Sequence, residues 1–348
     1  MLVLSGACAA HQYIMHGIRH FERNEFAAAV KLFDLALQLA PDDLYARWNR
    51  ATALLSLGDY AQGFKEHDVA WRLFNWRGFS AIGDTGPLRA LPIWNGERGA
   101  RVLAYHELGY GDAIMALRFL PEAARRAELT LIVDWPLARL ARTFDVEVAY
   151  RLPSDLSRFD CRLPFFGIMS ALEQTEATIP NAPYLGSCKF ASGGNKLGLA
   201  WSGRTQTAFT LQRFRQLADL DGFTLYALQP GPTVDDDIIP LRPGSDFADV
   251  ADLIAEMDHV VCVDTAAIHL AGAMGHPSAH LVLPYLSDWR WHRTNLWYPA
   301  LQSYRQPSPD DWATPFAQLN EALRWAPTQP AAPSGNVITI PSPSSQKS

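Results

Sequence analysis

The first part of the chain carries apolar residues at the three- and four-residue spacing of amphipathic helices. The segment from Phe26 to Pro41 follows this spacing and ends at a proline, which cannot continue a helix. A small–aromatic–small pattern then repeats at positions 34 apart (17 and 51, 26 and 60, 29 and 63). The repeat predicts two helical hairpins with turns at Asn24 and Gly58. Because two copies bury little surface alone, we expect them to dock on the next domain.

From Arg101 the pattern changes to short apolar runs separated by helical segments. In the first half, the runs at 101–105, 129–133 and 146–150 predict strands, with helices reaching Arg126 and spanning 136–144. In the second half, the predicted strands are 197–201, 223–228, 259–263 and 278–283; the helices are 211–220, 247–256 and one that opens at Asp264. This alternation implies βαβ units and parallel sheets, so we expect two α/β halves joined near 186–195. Ligands of such sheets bind at the carboxyl ends of the strands, here in the cleft between the halves.

Composition and charge narrow the function classes. The chain has 348 residues, a net charge of −6 and a pI of about 5.9, which argues against a nucleic-acid partner. The four cysteines lie far apart and form no close zinc-ligand pair. No apolar run approaches the ~20 residues of a membrane span, and the apolar start is too short for a signal peptide. We therefore expect a cytoplasmic protein with reduced thiols, and a disordered tail from Thr328, where Pro and Ser dominate.

A turn with two glycines follows the first predicted strand. Gly109 and Gly111 allow a tight turn and a close approach to a ligand, and Asp112 then stands at the start of a helix. Asp112 has two interpretations: a helix N-cap, or a general base that deprotonates an acceptor hydroxyl. The spacing alone favours the cap.

A second strand-to-helix junction carries Asp264, Thr265 and His269. The first N–H groups and the positive end of this helix would face the cleft and form an anion site. His269 lies one turn beyond Thr265 on the same face and could offset charge on a diphosphate leaving group. The alternative is an N-capped helix with a packed histidine.

Further candidates lie around the same predicted cleft. Ser202, Gly203 and Arg204 follow a strand of the second half and could contact phosphate, and Gln229 could bind ribose or base. The aromatic segment with Trp289, Arg290 and Trp291 suits stacking on a base or sugar ring, and equally suits sealing the interface between lobes.

Taken together and in this order, these motifs resemble a known family. The residues that carry the resemblance are Glu107, Gly109, Gly111, Asp112, Arg118, 198–203, Leu228, Gln229, Asp258, 264–272, 288–291, Trp297, Tyr298, Arg305 and Gln306. They are similar to the bacterial tetratricopeptide-repeat glycosyltransferases, which are related to the ADP-heptose–lipopolysaccharide heptosyltransferases. Residues 11–77 resemble the tetratricopeptide repeat itself, either as a plain helical hairpin or as a peptide-binding surface.

The resemblance implies a GT-B fold, with two Rossmann-like domains facing a cleft. It implies domains at 11–77 (helical repeats), 78–188 (acceptor domain) and 189–327 (donor domain), and a tail at 328–348. It also implies a metal-independent, inverting transfer from a nucleotide-diphosphate sugar to a glycan, lipid-linked glycan or protein acceptor, with no cofactor and no metal. Asp112 would be the base, and His269 would assist the leaving group. Ser202, Gly203, Arg204, Gln229, Asp264 and Thr265 would hold the donor, and Gly109, Gly111, Arg118, Trp289 and Arg290 would line the acceptor side.

The segment from Arg204 to Arg213 departs from the family pattern, because it is short and lacks the usual Arg-Ser element. This departure motivates an alternative hypothesis, a catalytically degenerate repeat scaffold that binds proteins. A third hypothesis is a nucleotide-sugar epimerase of the same two-lobed fold.

Overall fold

A computed structural model describes residues 6–73, 87–186, 190, 194–202, 211–231 and 237–325. The predicted tail from Thr328 lies outside these residues. Within them, no helix is long and apolar enough to cross a membrane.

The N-terminal part is a stack of antiparallel helices. Asn24 (φ 59°) and Gly58 (φ 89°) take left-handed conformations in the predicted turns. Helices one and two pack closely at Gly17, where an added Cβ would lie 2.5 Å from the Phe33 ring. The helices are α1 (Gly6–Phe21), α2 (Phe26–Leu39), α3 (Leu44–Leu57), α4 (Tyr60–His67) and α5 (Ala70–Leu73).

The first lobe contains a four-stranded parallel sheet with the order β3-β2-β1-β4. The strands are β1 (Arg101–Tyr105), β2 (Glu128–Ile132), β3 (Glu147–Ala149) and β4 (Cys161–Pro164). The helices are α6 (Tyr110–Leu117), α7 (Leu120–Arg126), α8 (Trp135–Ala141) and α9 (Ile168–Ala171), with short 3-10 turns at Pro87–Ala90 and Phe165–Gly167. The predicted helix up to Arg126 is therefore two helices, because the chain turns at Arg118 and Phe119.

The second lobe contains a six-stranded parallel sheet with the order β10-β9-β8-β5-β6-β7. The strands are β5 (Lys196–Ala200), β6 (Thr224–Ala227), β7 (Ile238–Ile239), β8 (His259–Cys262), β9 (Ala279–Leu283) and β10 (Gln302–Arg305). The helices are α10 (Leu211–Leu217), α11 (Phe247–Ala255), α12 (Ala266–Met274), α13 (Thr294–Trp297) and α14 (Ala313–Trp325), with a 3-10 segment at Trp289–Arg293. The predicted two-lobed α/β architecture is confirmed.

The three parts pack against one another through buried side chains. The helical repeats dock on the second lobe, where Tyr60 and Phe64 meet the rings of Trp289 and Trp297 at centroid distances of 5.8–6.4 Å. All four of these side chains are buried. Trp289 and Trp297 of the second lobe therefore seal its interface with the repeats, whereas the sequence interpretation had placed such an interface between the lobes.

Candidate active site

A cavity of about 1200 Å³ opens between the lobes at the carboxyl ends of their strands. The loops that follow β1, β5, β6 and β8 all contribute to its wall, as the topology of parallel sheets predicts. The repeats contribute a third wall through α3, α4 and α5. The predicted site residues in the wall are Gly109, Gly111, Asp112, Ser202, Gln229, Asp264, Thr265, His269, Trp289 and Arg290.

Asp112 occupies the first turn of α6 and has both carboxylate oxygens engaged. Oδ2 accepts a hydrogen bond from the Gly109 N–H at 2.8 Å, so Gly109 is the N-cap of α6 and Asp112 caps it from the third helical position, not as the predicted N-cap itself. Oδ1 forms an ion pair with the Arg290 guanidinium across the cleft. Asp112 nevertheless lines the cavity, with 19% of its side chain exposed.

Arg290 links the two lobes from the 3-10 segment of the second lobe. Its guanidinium also pairs with Asp288 at 2.6 Å and lies over the Trp289 ring, 4.5 Å from the centroid. Only 9% of the side chain is exposed. Arg290 is therefore a largely buried arginine between two carboxylates, and its pair with Asp112 crosses the cleft.

The N-terminus of α12 faces the cavity. Asp264, Thr265, Ala266 and Ala267 all line the wall, and the Thr265 side chain makes no capping bond to the helix. The Ile268 N–H donates to the Thr265 carbonyl at 3.2 Å, whereas the N–H groups of Ala266 and Ala267 receive no acceptor from the N-cap side chain, which leaves them suited to an anion. Burial raises the pKa of Asp264, and the negative charge of nearby Asp288 raises it further.

His269 lies one turn into α12 and is buried. Its Nδ1 is 2.8 Å from the Tyr298 hydroxyl, and its Nε2 is 3.9 Å from Asp264 Oδ1. Burial lowers the pKa of His269 well below its usual value, and the charges of Arg290 and Arg118 act in the same direction. The imidazole is therefore neutral at neutral pH, so it can offer a hydrogen bond to a ligand but not a positive charge.

Gly111 shows why the turn of the first lobe needs a glycine. An added Cβ at this position would lie 2.7 Å from His269 Cδ2, on the opposite lobe. The absence of a side chain lets α6 and α12 approach closely, and this contact brings the loop of Asp112 next to the helix of His269.

Gln229 binds the first two residues after β5. Its Oε1 accepts hydrogen bonds from the backbone N–H groups of Trp201 (2.9 Å) and Ser202 (3.0 Å). Those two donors are thus occupied by a side chain of the protein. Gly203 and Arg204 lie outside the described residues.

Arg118 does not reach the cavity, contrary to the prediction. It is 3% exposed, donates to the carbonyl oxygens of Pro180 and Trp297 at 3.0 and 2.8 Å, and lies over the Tyr298 ring at 4.7 Å. Its guanidinium satisfies backbone groups behind the wall and joins the lobes there. Trp289 is also a packing residue rather than an open stacking surface, because it is only 1% exposed.

Several wall residues were missed by the sequence analysis. Trp48, Thr52 and His67 come from the repeats, and Trp135 comes from the start of α8. Asp246 was missed too, although Asp246 and Asp249 form a capping box that the sequence spacing could have revealed. Both of these carboxylates bind Arg139 of the first lobe, at 3.1 and 2.7 Å.

Glu107 belongs to the glycine-turn motif, but its contacts indicate a structural role rather than ligand binding. It is buried, and its oxygens accept the backbone N–H groups of Phe165 and Phe166 at 2.8 and 3.0 Å. Burial raises its pKa to about 8, although these two donors oppose the shift. Glu107 therefore anchors the turn to the segment after β4. No cluster of three or more His, Cys, Asp or Glu within the described ranges could hold a metal ion.

A comparison with known protein families matches part of the second lobe. Residues 229–281 match glycosyltransferase family 9 (heptosyltransferase). This segment contains Gln229, Asp264, Thr265 and His269. The resemblance expected from the motifs is thereby confirmed for the second lobe, while Asp112 lies outside the matched segment.

Protein FlbA of Caulobacter vibrioides is 24% identical over 386 aligned positions, covering 86% of this chain. The chain spans 64% of the length of FlbA. Among solved structures, E. coli ADP-heptose lps heptosyltransferase II aligns with a TM-score of 0.46 and 14% identity, over 64% of this chain and 98% of that chain. A mutant of Thermobaculum terrenum O-GlcNAc transferase aligns with a TM-score of 0.31 and 13% identity, over 90% of this chain and 85% of that chain.

Proposed function

We propose that this chain is a glycosyltransferase that moves a sugar from a nucleotide-diphosphate donor to an acceptor hydroxyl, with inversion and without a metal. The observation that supports the proposal best is the N-terminus of α12. It faces the inter-lobe cavity without a capping side chain, and it lies in the segment that matches family 9.

In this proposal the donor diphosphate binds at the first turn of α12. The first N–H groups of α12 and the helix dipole supply partial positive charge where the leaving group gains negative charge. Asp264, whose pKa is raised, is protonated in a larger fraction of molecules than an ordinary aspartate. A protonated carboxyl donates a hydrogen bond to a phosphate oxygen instead of repelling it.

Asp112 is the base in this scheme. Its Oδ1 is paired with the Arg290 guanidinium, so the pair must loosen before this oxygen can accept a proton from the acceptor. A diphosphate at α12 attracts the same guanidinium, because Arg290 and Thr265 line one cavity. Donor binding would therefore free Asp112, and the acceptor would react after the donor has bound.

The proposed transfer forms one bond to the anomeric carbon and breaks another. The acceptor oxygen forms a bond to the anomeric carbon while the bond from that carbon to the diphosphate oxygen breaks. The hydroxyl proton passes to Asp112, and the nucleotide diphosphate leaves with the electron pair. The neutral His269 offers a hydrogen bond and holds its orientation through Tyr298.

The scaffold hypothesis keeps one observation in its favour. Both oxygens of Asp112 are bound within the protein, which would also suit a purely structural carboxylate. The two functions differ in a direct assay, because a scaffold releases no nucleotide.

The test is release of nucleoside diphosphate from UDP-, ADP- and GDP-sugars, with and without a mixture of saccharide and peptide acceptors. We expect acceptor-dependent release with one donor class and loss of release in Asp112→Asn, which keeps its shape. Binding of a nucleotide without any release, in wild type and variant alike, would favour the scaffold. Interconversion of the sugar without an acceptor would favour the epimerase.

A further inference from the structure

The two ring nitrogens of His269 have different neighbours. Nδ1 lies 2.8 Å from the Tyr298 hydroxyl, and Nε2 lies 3.9 Å from Asp264 Oδ1, which is beyond hydrogen-bond length. A neutral imidazole carries one proton, so one nitrogen donates and the other accepts. With the proton on Nε2, His269 can donate to a phosphate at the N-terminus of α12. With the proton on Nδ1, it turns a lone pair toward the same phosphate.

The surroundings of the Tyr298 hydroxyl decide between these tautomers. Tyr298 is 2% exposed, so its hydroxyl hydrogen needs an acceptor within the protein. The Arg118 guanidinium, 4.7 Å from the centre of the Tyr298 ring, can only donate. The Tyr184 hydroxyl gives its own hydrogen to the Ile114 carbonyl at 2.9 Å and accepts from Arg118 at 3.3 Å. The Tyr298 hydrogen therefore goes to His269 Nδ1, which leaves the imidazole proton on Nε2.

Close packing holds both rings in place for this bond. An added Cβ at Gly272 of α12 would lie 2.5 Å from Tyr298 Cδ1, so the absence of a side chain there lets the Tyr298 ring lie against the helix. The Trp291 ring covers the His269 imidazole, with centroids 4.8 Å apart and planes at 37°. Rings held in this way keep the hydrogen bond in one geometry.

We propose that Tyr298 is a positioning residue that fixes His269 in the tautomer with its proton on Nε2, and that Arg118 directs the Tyr298 hydrogen toward the imidazole. This inference rests on the proposed transfer, in which the Nε2–H donates to the donor diphosphate. Such a partner on the second nitrogen is the usual way in which proteins choose a histidine tautomer. Arg118 would thus serve the site from behind the wall rather than from within the cavity.

A second buried tyrosine–histidine pair in the same lobe provides a matched control. The Tyr304 hydroxyl lies 2.9 Å from His280 Nδ1, but it gives its hydrogen to Gln302 Oε1 at 2.8 Å. His280 Nδ1 must then donate, so this histidine has the opposite tautomer. Neither Tyr304 nor His280 is among the described residues that line the cavity.

The experiment records long-range proton–nitrogen NMR correlations of the full chain labelled with ¹⁵N-histidine, at neutral pH. The nitrogen shifts show which ring nitrogen carries the proton. Loss of signals in His269→Ala and in His280→Gln assigns the two rings. The test variant is Tyr298→Phe, and the control is Tyr304→Phe, which also removes one buried hydroxyl from a histidine Nδ1. The same preparations are titrated calorimetrically with UDP, ADP and GDP.

We expect the wild-type protein to carry the proton on Nε2 of His269 and on Nδ1 of His280. In Tyr298→Phe, both tautomers of His269 should be populated. The affinity for the bound nucleotide should weaken about 2- to 10-fold, the effect of one hydrogen bond. Tyr304→Phe should leave the His269 tautomer and the nucleotide affinity unchanged.

The inference is overturned if the wild-type spectrum places the His269 proton on Nδ1, a result that needs no variant to fold. It is also overturned if Tyr298→Phe keeps the Nε2 tautomer, or if both tyrosine variants weaken nucleotide binding equally. In each of these cases nucleotide binding by the wild type would leave the proposed transferase standing. If His269 behaves as expected but no nucleotide binds to the wild type, the proposed transferase fails and the tautomer assignment alone remains.

Discussion

Replacement of Arg290 by methionine probes the contact that joins the lobes and holds the proposed base. Methionine keeps much of the side-chain volume but removes the charge that pairs with Asp112 and Asp288. Two carboxylates then face each other and lose their common partner. We therefore expect the variant to be less stable and to bind nucleotide more weakly.

The magnitude follows from the exposure of the three side chains. Breaking a fully buried pair costs about 3–5 kcal/mol. Arg290 is 9% exposed, but Asp112 is 19% and Asp288 is 33% exposed, so solvent screens part of the effect. We expect a loss of about 2–3 kcal/mol in the free energy of unfolding.

The assay is urea unfolding followed by tryptophan fluorescence, on the single variants and on the Asp112→Asn/Arg290→Met pair. The double variant should be more stable than the sum of the single losses predicts, by about 1–2 kcal/mol, because it leaves fewer unpaired charges. A loss below about 1 kcal/mol for Arg290→Met, together with strictly additive effects, would refute this reasoning.

Other predictions concern the contacts around His269 and the titration of buried groups. Gly111→Ala should cost about 1–3 kcal/mol in unfolding free energy, since its Cβ would lie 2.7 Å from His269 Cδ2; an unchanged urea midpoint would contradict this close approach. Tyr298→Phe should cost about 1–3 kcal/mol, because His269 Nδ1 loses its buried partner; equal stability of the two proteins would show that the bond is dispensable. Lowering the pH from 6.5 to 5 should lower the unfolding temperature. Burial lowers the pKa of six histidines, so the unfolded chain binds protons that the folded chain does not. Three buried carboxyl groups have a raised pKa and act in the opposite direction, but they are fewer. An unfolding temperature that rises in calorimetry as the pH falls from 6.5 to 5 would contradict this prediction. The six histidines are His67, His259, His269, His276, His280 and His292, and the three carboxyl groups are those of Asp68, Glu107 and Asp264.

The strands that the sequence predicted best are those with continuous apolar runs. β1 (Arg101–Tyr105) was predicted with the observed bounds, and β2, β3, β5, β6, β8 and β9 within one residue at each end. Their apolar side chains face helices on both sides, so period and length identify them. By contrast, β4 contains an arginine, and β10 contains a glutamine and an arginine. The place of these strands in the sheet depends on contacts with residues distant in the sequence. Arg162 of β4, for example, is buried because it bonds the Tyr105 hydroxyl at 3.2 Å.

The sequence predicted only those parts of the site that local motifs define. The two strand-to-helix turns were located correctly because glycine, aspartate and the following apolar residues lie next to each other in sequence. The pairing of Asp112 with Arg290 joins residues 178 positions apart, and no local pattern contains it. The same holds for Trp48, whose helix reaches the cavity only because the repeats dock on the second lobe. Arg118 was misassigned because its sequence neighbourhood does not reveal the backbone carbonyls that it binds.

The proposed function depends most on binding of the donor diphosphate at the N-terminus of α12. Calorimetric titration of the folded protein with UDP, ADP and GDP tests it directly, on wild type and on His269→Ala. We predict binding by one of these nucleotides, weakened in His269→Ala, since that variant removes a hydrogen-bond donor in the first turns of α12. A folded protein that binds none of the three, or binds one equally well without His269, would contradict the proposed donor site.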